Sequence, residues 1–261
     1  MSGAAYTVTR LDGFGYTSGQ RRFDKSNKYD KYFDINQVKF NETPLINVGQ
    51  RLGGKTNTLA TQQQMHAIVL QTLPQTERIA QALKGSNLHE TLRNVANFFQ
   101  YHYQYKQDHQ SREQLRTPAR AYADRRLGID CDCFSISVSS ILMNLGIPHY
   151  WRKTKPSSSE PDYSHIYVVV PKRKGLSLNV RSNYYVIDPV VTEKAFDWEH
   201  TENQVPAYKH DYYVNTEMPT GMGSILAFQP LATQQDSVKK FFKIAGLSAL
   251  AIGALMIITS K

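Results

Sequence analysis

A change of period limits what this chain can fold into more than any other feature. From Thr58 to Leu145 the apolar residues recur at helical spacing. Beyond Pro148 the period changes to 2, in segments rich in aromatic and β-branched side chains. Helices first and strands afterwards predict an α+β fold, in which an antiparallel sheet packs on the helices. Leu59, Met65, Ile68 and Val69 share one face of a first helix, which Pro74 ends. A short second helix covers Gln75 to Leu83 and is closed by Gly85. Asn87-Leu-His-Glu90 is a capping-box pattern opening a third, with Leu88, Leu92, Val95, Phe98 and Phe99 as its apolar residues. Thr117 followed by Pro118 starts a fourth, ending near Gly128. A fifth runs from about Cys131 to Leu145, with Gly146 as its stop and Pro148 two residues later. Tyr163 to Val170 and Tyr184 to Val191 are the two strand-like segments, separated by the basic stretch PKRKGLSLNVRSN.

The flanks differ from this core, which spans about residues 45–216. Residues 1–44 are rich in aromatics, Gly, Lys and Asp without a clean period, an irregular arm that wraps the core or docks elsewhere. A polar linker over 217–240 leads into FFKIAGLSALAIGALMIITSK. The unbroken apolar run from Ile244 to Thr259 would be about 24 Å long as a helix, short of the roughly 30 Å hydrocarbon core of a bilayer. Counting residues 241–260 reaches about 30 Å, with Lys243 able to snorkel to the interface. Ala245, Ala249 and Gly253 repeat every fourth residue, as in packed membrane helices. A buried C-terminal helix of the core is the plainer reading. We favour a transmembrane helix because the run is nearly unbroken and set off by a linker. Lys239, Lys240 and Lys243 before it place the body of the chain on the cytoplasmic side.

Composition removes several other classes. The formal net charge of +9 favours anionic surfaces, but no zinc-finger, helix-turn-helix or RNA-binding signature accompanies it, so nucleic acid is not an expected partner. Arg152, Lys153, Lys155, Lys172, Arg173 and Lys174 read as solvated loop charges, or as contacts to phosphate or lipid. The two cysteines, one residue apart, cannot staple distant loops, which fits a reducing compartment. The first twenty residues show no secretory signal. Gly49-Gln-Arg-Leu-Gly-Gly54-Lys55-Thr56 matches the phosphate-cradling GxxxxGK[ST] pattern. Folds built on that loop need repeated βα units on a parallel sheet, and this chain runs helices and then strands, so a Gly-rich turn into a helix is preferred. Asp130, Cys131, Asp132, Cys133 and His165 lack the paired ligand spacing of a structural zinc site, and no metal or other cofactor is expected.

The chemistry centres on GIDCDCFSISVSSILMNLGIP, residues 128–148. Helical phase puts Cys131 on a stripe with Phe134, Val138, Ile141, Leu142 and Leu145, which must face the core. It puts Cys133 with Ser137, Ser140 and Asn144 on a polar side. In a helix's first turn, unsatisfied N–H groups and the dipole favour a reactive thiolate, and they can stabilise an oxyanion beside the sulfur. A thiolate nucleophile needs a proton-handling partner, and that partner needs an orienting group. His165, Tyr167 and Val169 share one face of the first strand; Tyr184, Val186 and Asp188 share one face of the second. A hairpin with His165 opposite Asp188, Tyr167 opposite Val186 and Val169 opposite Tyr184 would bring the imidazole and the carboxylate together.

These segments resemble the transglutaminase-like cysteine peptidase superfamily. GIDCDCFSISVSSILMNLGIP is similar to its nucleophile helix, in which a GDCDDFA-type motif starts the helix and a GIP-type turn ends it. SHIYV resembles its His strand, VIDPV its Asp strand, and REQLRTPARAYADRR the preceding segment in forms carried by bacteriophages and bacterial mobile elements. The resemblance covers about residues 45–215. It implies a papain-like α+β core, with Cys131 as nucleophile, His165 as proton shuttle and Asp188 as orienting group, and Cys133 standing where the family usually has Asp. The expected activity is that of a membrane-anchored thiol peptidase or amidase acting on a peptide or amide substrate. Protein cross-linking by acyl transfer is the nearest alternative. A non-catalytic structural or adaptor role within a virus particle or membrane, beside virion or membrane proteins, is the alternative of a different class.

Overall fold

The computed structural model describes residues 24, 26–33, 46–50, 58–108, 112–155, 157–160, 163–191, 194–201 and 203–215, with two short strands at 9–11 and 16–18. Those strands, β1 (Thr9–Leu11) and β2 (Tyr16–Ser18), pair with each other. β3 (Ile46–Gln50) pairs antiparallel with β4 (Arg112–Leu115) in a second small sheet. Between these two strands run α1 (Thr58–Gln71), α2 (Glu77–Leu83) and α3 (Leu88–His102). After β4 come α4 (Pro118–Asp124) and α5 (Cys131–Asn144). The principal sheet follows, built from β5 (His149–Thr154), β6 (His165–Pro171), β7 (Tyr184–Ile187) and β8 (Lys209–Val214). Its order is β7-β6-β5-β8, antiparallel throughout. The fold is α+β.

Local chemistry explains the helix ends. Asn87 caps α3 by accepting the Glu90 N–H at 2.9 Å. The Glu90 carboxylate reaches one residue further back than a capping box requires, accepting from the N–H and hydroxyl of Ser86 at 2.7 and 2.5 Å. Thr117 caps α4 by accepting from the Arg120 N–H, with Pro118 in the first turn. α5 ends at Gly146, whose φ of +66° suits glycine. Pro74 lies in a 3-10 turn just past α1.

Beyond the small strands β1–β4 that precede and interrupt the helices, the arrangement differs from the sequence expectation in four ways. β5 and β8 carry no clean alternation, yet they form the middle and one edge of the sheet. β7 stops at Ile187, so Asp188 lies just beyond it. The hairpin register is Val169↔Val186 and Pro171↔Tyr184, two residues from the expected pairing. A shift of two keeps every side chain on its face, so His165 and Asp188 become diagonal neighbours on the same face. The largest difference is at α5. It is buried on all sides from Asp132 to Leu142, because α1, α2, α3 and α4 surround it and β5 and β6 cover it. Its serine side faces protein: Ser140 Oγ meets Thr76 Oγ1 at 2.7 Å, and Ser139 Oγ accepts the Trp151 indole N–H at 2.7 Å.

Part of the N-terminal arm wraps the core. Phe33 stacks on Tyr122 at 4.0 Å, Tyr29 meets Phe98 edge-on at 4.8 Å, and Asp30 accepts from the Tyr122 hydroxyl and from Arg125. The GxxxxGK[ST] turn beyond Gln50 and the apolar run at 241–260 lie outside the described residues. β3, which leads into that turn, pairs antiparallel with β4 and, among the described residues, belongs to no parallel sheet. Among the described residues no helix is long and apolar enough to cross a membrane.

Candidate active site

The segment that presents Cys131 is pinned before the helix begins. Gly128 takes φ +100°, and a Cβ there would lie 2.5 Å from Lys106 Cβ, so glycine is required. Ile129 exchanges backbone hydrogen bonds with Gln104 and Lys106, the residues that follow α3. Asp130 caps α5 by accepting the Cys133 N–H at 3.3 Å. Cys131 is thus the first helical residue. It is half-buried, and its thiol donates to the Asp132 carboxylate at 3.1 Å.

Cys133 lies in a different environment. It is fully buried, its thiol donates to the Gln114 carbonyl at 3.2 Å, and it accepts from the Arg116 N–H and guanidinium at 3.4 and 3.6 Å. Burial, reinforced by the nearby Asp130 charge, pushes this thiol well up. Arg116 is held in turn by Asp108 and Asp124. Cys133 is a structural thiol that ties α5 to the end of β4, which corrects its placement on a polar helix side.

The structure brings His165 and Asp188 together. Nε2 of His165 lies 2.8 Å from Asp188 Oδ2, and both side chains are buried. An accepting carboxylate places the ring hydrogen on Nε2 and makes Nδ1 the basic nitrogen. Asp188 is fixed by its own turn: Oδ1 accepts from the Val190 N–H at 3.2 Å, and its N–H donates to the Ala195 carbonyl at 2.9 Å. Cys131 belongs to the element packed against this strand. One helical turn beyond Cys131, Ser135 Oγ donates to the carbonyl of Ile166, the residue after His165.

Strand parity put Tyr167 on the face of His165 but missed the rest of the imidazole's surroundings. Tyr167 stacks on it with centroids 5.3 Å apart and planes 25° apart, and His200 meets it edge-on at 5.8 Å. Burial, and then the neighbouring His165, push His200 down to about 4. The Tyr167 hydroxyl donates to Glu199, which also accepts from Tyr184 at 2.6 Å and from Arg152 at 3.3 Å. Arg152 donates to both oxygens of Asp211, at 2.7 and 3.0 Å. Burial pushes the Glu199 carboxyl up, against the pull of Arg152. Arg152 is therefore no solvated loop charge: it has no exposed surface, and Lys153 beside it is buried as well. Charge in a sequence does not reveal burial, and only the aromatic alternation around Tyr167 and Tyr184 hinted at this cluster.

Among the described residues, no group of three His, Cys, Asp or Glu side chains could hold a metal ion. A scan against protein-family models returns no match, and no curated protein or solved structure is significantly similar to the chain.

Proposed function

We propose that the protein is a thiol hydrolase of the transglutaminase-like, papain-like type, a peptidase or amidase anchored to a membrane by residues 241–260. The observation that carries this reading is the buried His165–Asp188 pair on the strand that packs against the helix opened by Cys131. Cys131 is the more exposed of the two cysteines, as a nucleophile must be.

The chemistry follows from the pairing. His165 Nδ1 takes the thiol proton, and Asp188 holds Nε2–H and stabilises the imidazolium. The sulfur attacks the carbonyl carbon; a C–S bond forms and the carbonyl electron pair moves to oxygen. As the intermediate collapses, the C–N bond breaks and the amine leaves with the proton from His165. Water, deprotonated by His165, then attacks the thioester, releasing the acid and restoring the thiol. An amine in place of water would give acyl transfer. The N–H groups at the start of α5, Cys131's first among them, are the natural oxyanion donors.

Labelling with a thiol-reactive acyl-site probe tests the assignment. Wild type and Cys133→Ala should label equally, and Cys131→Ala and His165→Ala should lose at least about 99% of the rate. Equal labelling of wild type and Cys131→Ala would sink the proposal. Products formed with an added amine acceptor would mark transfer rather than hydrolysis.

A further inference from the structure

Behind His165 stands a set of buried groups that the thiol chemistry itself does not use. Tyr167, Tyr184, Arg152 and Glu199 are each at most 1% exposed. Tyr167, Arg152 and Asp211 lie side by side on three neighbouring strands, Tyr167↔Arg152 and Arg152↔Asp211 in register. Glu199 accepts from three donors there, the hydroxyls of Tyr167 and Tyr184 and the Arg152 guanidinium. Arg152 is secured by Asp211 and by the Leu178 carbonyl at 2.9 Å. The next residue, His200, sets its ring perpendicular to both His165 and Tyr167, at 5.8 and 5.5 Å.

We infer that this cluster positions the His165 imidazole, with Tyr167 and Glu199 as the positioning residues. The inference rests on the Cys131–His165 reading above. The hydrogen bond from Nε2 to Asp188 fixes one end of the ring, and by itself such a bond leaves the ring plane free to rock about it. Stacking on Tyr167 removes the rocking only if the phenol ring itself cannot slide. Its hydroxyl is tied to a carboxylate that two further donors hold in place. His200, carried on the same turn as Glu199, closes the edge. The plane of the imidazole, and with it the direction of Nδ1, is thus set by groups on β5, β6, β7, β8 and the 199–200 turn together. A buried ion pair of this kind adds little net stability over an apolar core, so its value lies in defining one geometry.

The test is the pH dependence of Cys131 alkylation by iodoacetamide on the full chain, read at Cys131 by mass spectrometry. An imidazole aimed at the sulfur draws off its proton, so wild-type alkylation persists at pH values where an ordinary thiol is unreactive. His165→Ala should lose this low-pH reactivity. Tyr167→Phe keeps the stacked ring and removes only its hydroxyl; it should lower the low-pH rate roughly tenfold or more and leave the high-pH rate unchanged. Glu199→Gln should behave in the same way. A merely structural role would lower the Tm and leave the pH profile of the folded protein as in wild type. Full low-pH reactivity in Tyr167→Phe overturns the positioning inference, while its loss in His165→Ala leaves the thiol-site reading standing. A wild type without low-pH reactivity overturns both. If Glu199→Gln does not fold, Tyr167→Phe decides alone.

Discussion

Around β6 the two faces of the principal sheet are both buried, and they are built from opposite materials. The face toward α5 carries Trp151, Ile166, Val168, Val170 and Ile187, a mainly apolar layer that also takes in His149, Lys153 and an indole N–H satisfied by Ser139. The other face carries His165, Tyr167, Arg152 and Asp188 beside the Val169–Val186 pair, with Glu199 inserted among them. Burial of apolar area stabilises the first, at roughly 25 cal/mol per Å². Mutual satisfaction of charges and hydroxyls holds the second, which tolerates no missing partner. The difference teaches a division of labour: one face secures the sheet on the helix, and the other holds the His165–Asp188 pair in a network of charges and hydroxyls.

The comparison breaks most readily at Arg152. Arg152→Ala leaves the fully buried Glu199 without its nearest cation and Asp211 with Lys209 alone, and should cost about 3–5 kcal/mol in chemical denaturation. A loss under about 1 kcal/mol would mean that the charged face is no more demanding than the apolar one.

Next in size is an effect of acid on the helix-facing side. His149 has no exposed surface and is held neutral, pushed down to about 4 mainly by burial. In the unfolded chain the same imidazole takes a proton near 6.5. The unfolded state therefore binds more protons as the pH falls from 6.5 toward 4, and the stability present above 6.5 is lost across that window. One such group contributes about 3 kcal/mol. His149→Gln should flatten the pH–stability curve by close to one proton between pH 4 and 6.5; an unchanged slope would remove His149 from the account.

The smallest expected effect is a one-methyl deletion in the apolar layer. Ile187→Val should cost about 0.5–1.5 kcal/mol by thermal or urea unfolding. It should leave the pH dependence of Cys131 alkylation untouched. A changed alkylation profile would show that the two faces are coupled rather than divided.

How much of this could be read from the chain depends on the range of the interaction. The helix starts at Asn87, Thr117 and Asp130 are set by side chains three residues from the N–H they cap, so local sequence contains the whole cause. The faces shared by His165 with Tyr167, and by Asp188 with Val186, follow from strand parity, which survived a register two residues from the expected one. β5 was hidden because HYWRKT mixes charges with aromatics, and Arg152 finds its carboxylates on β8 and the 199 turn.

By itself, then, the sequence determined the α+β class, the capped helices, the position of Cys131 in a first turn and the faces shared by His165 with Tyr167 and by Asp188 with Val186. Tertiary structure alone decided that Cys133 is buried against Gln114 and Arg116, that the serine side of α5 is dry, and that Arg152 and Glu199 meet across 47 residues behind His165. The physical reason is one of range. Caps and periods are fixed by bonds a few residues long, whereas burial and charge pairing depend on which strands become neighbours, and the whole chain settles that at once.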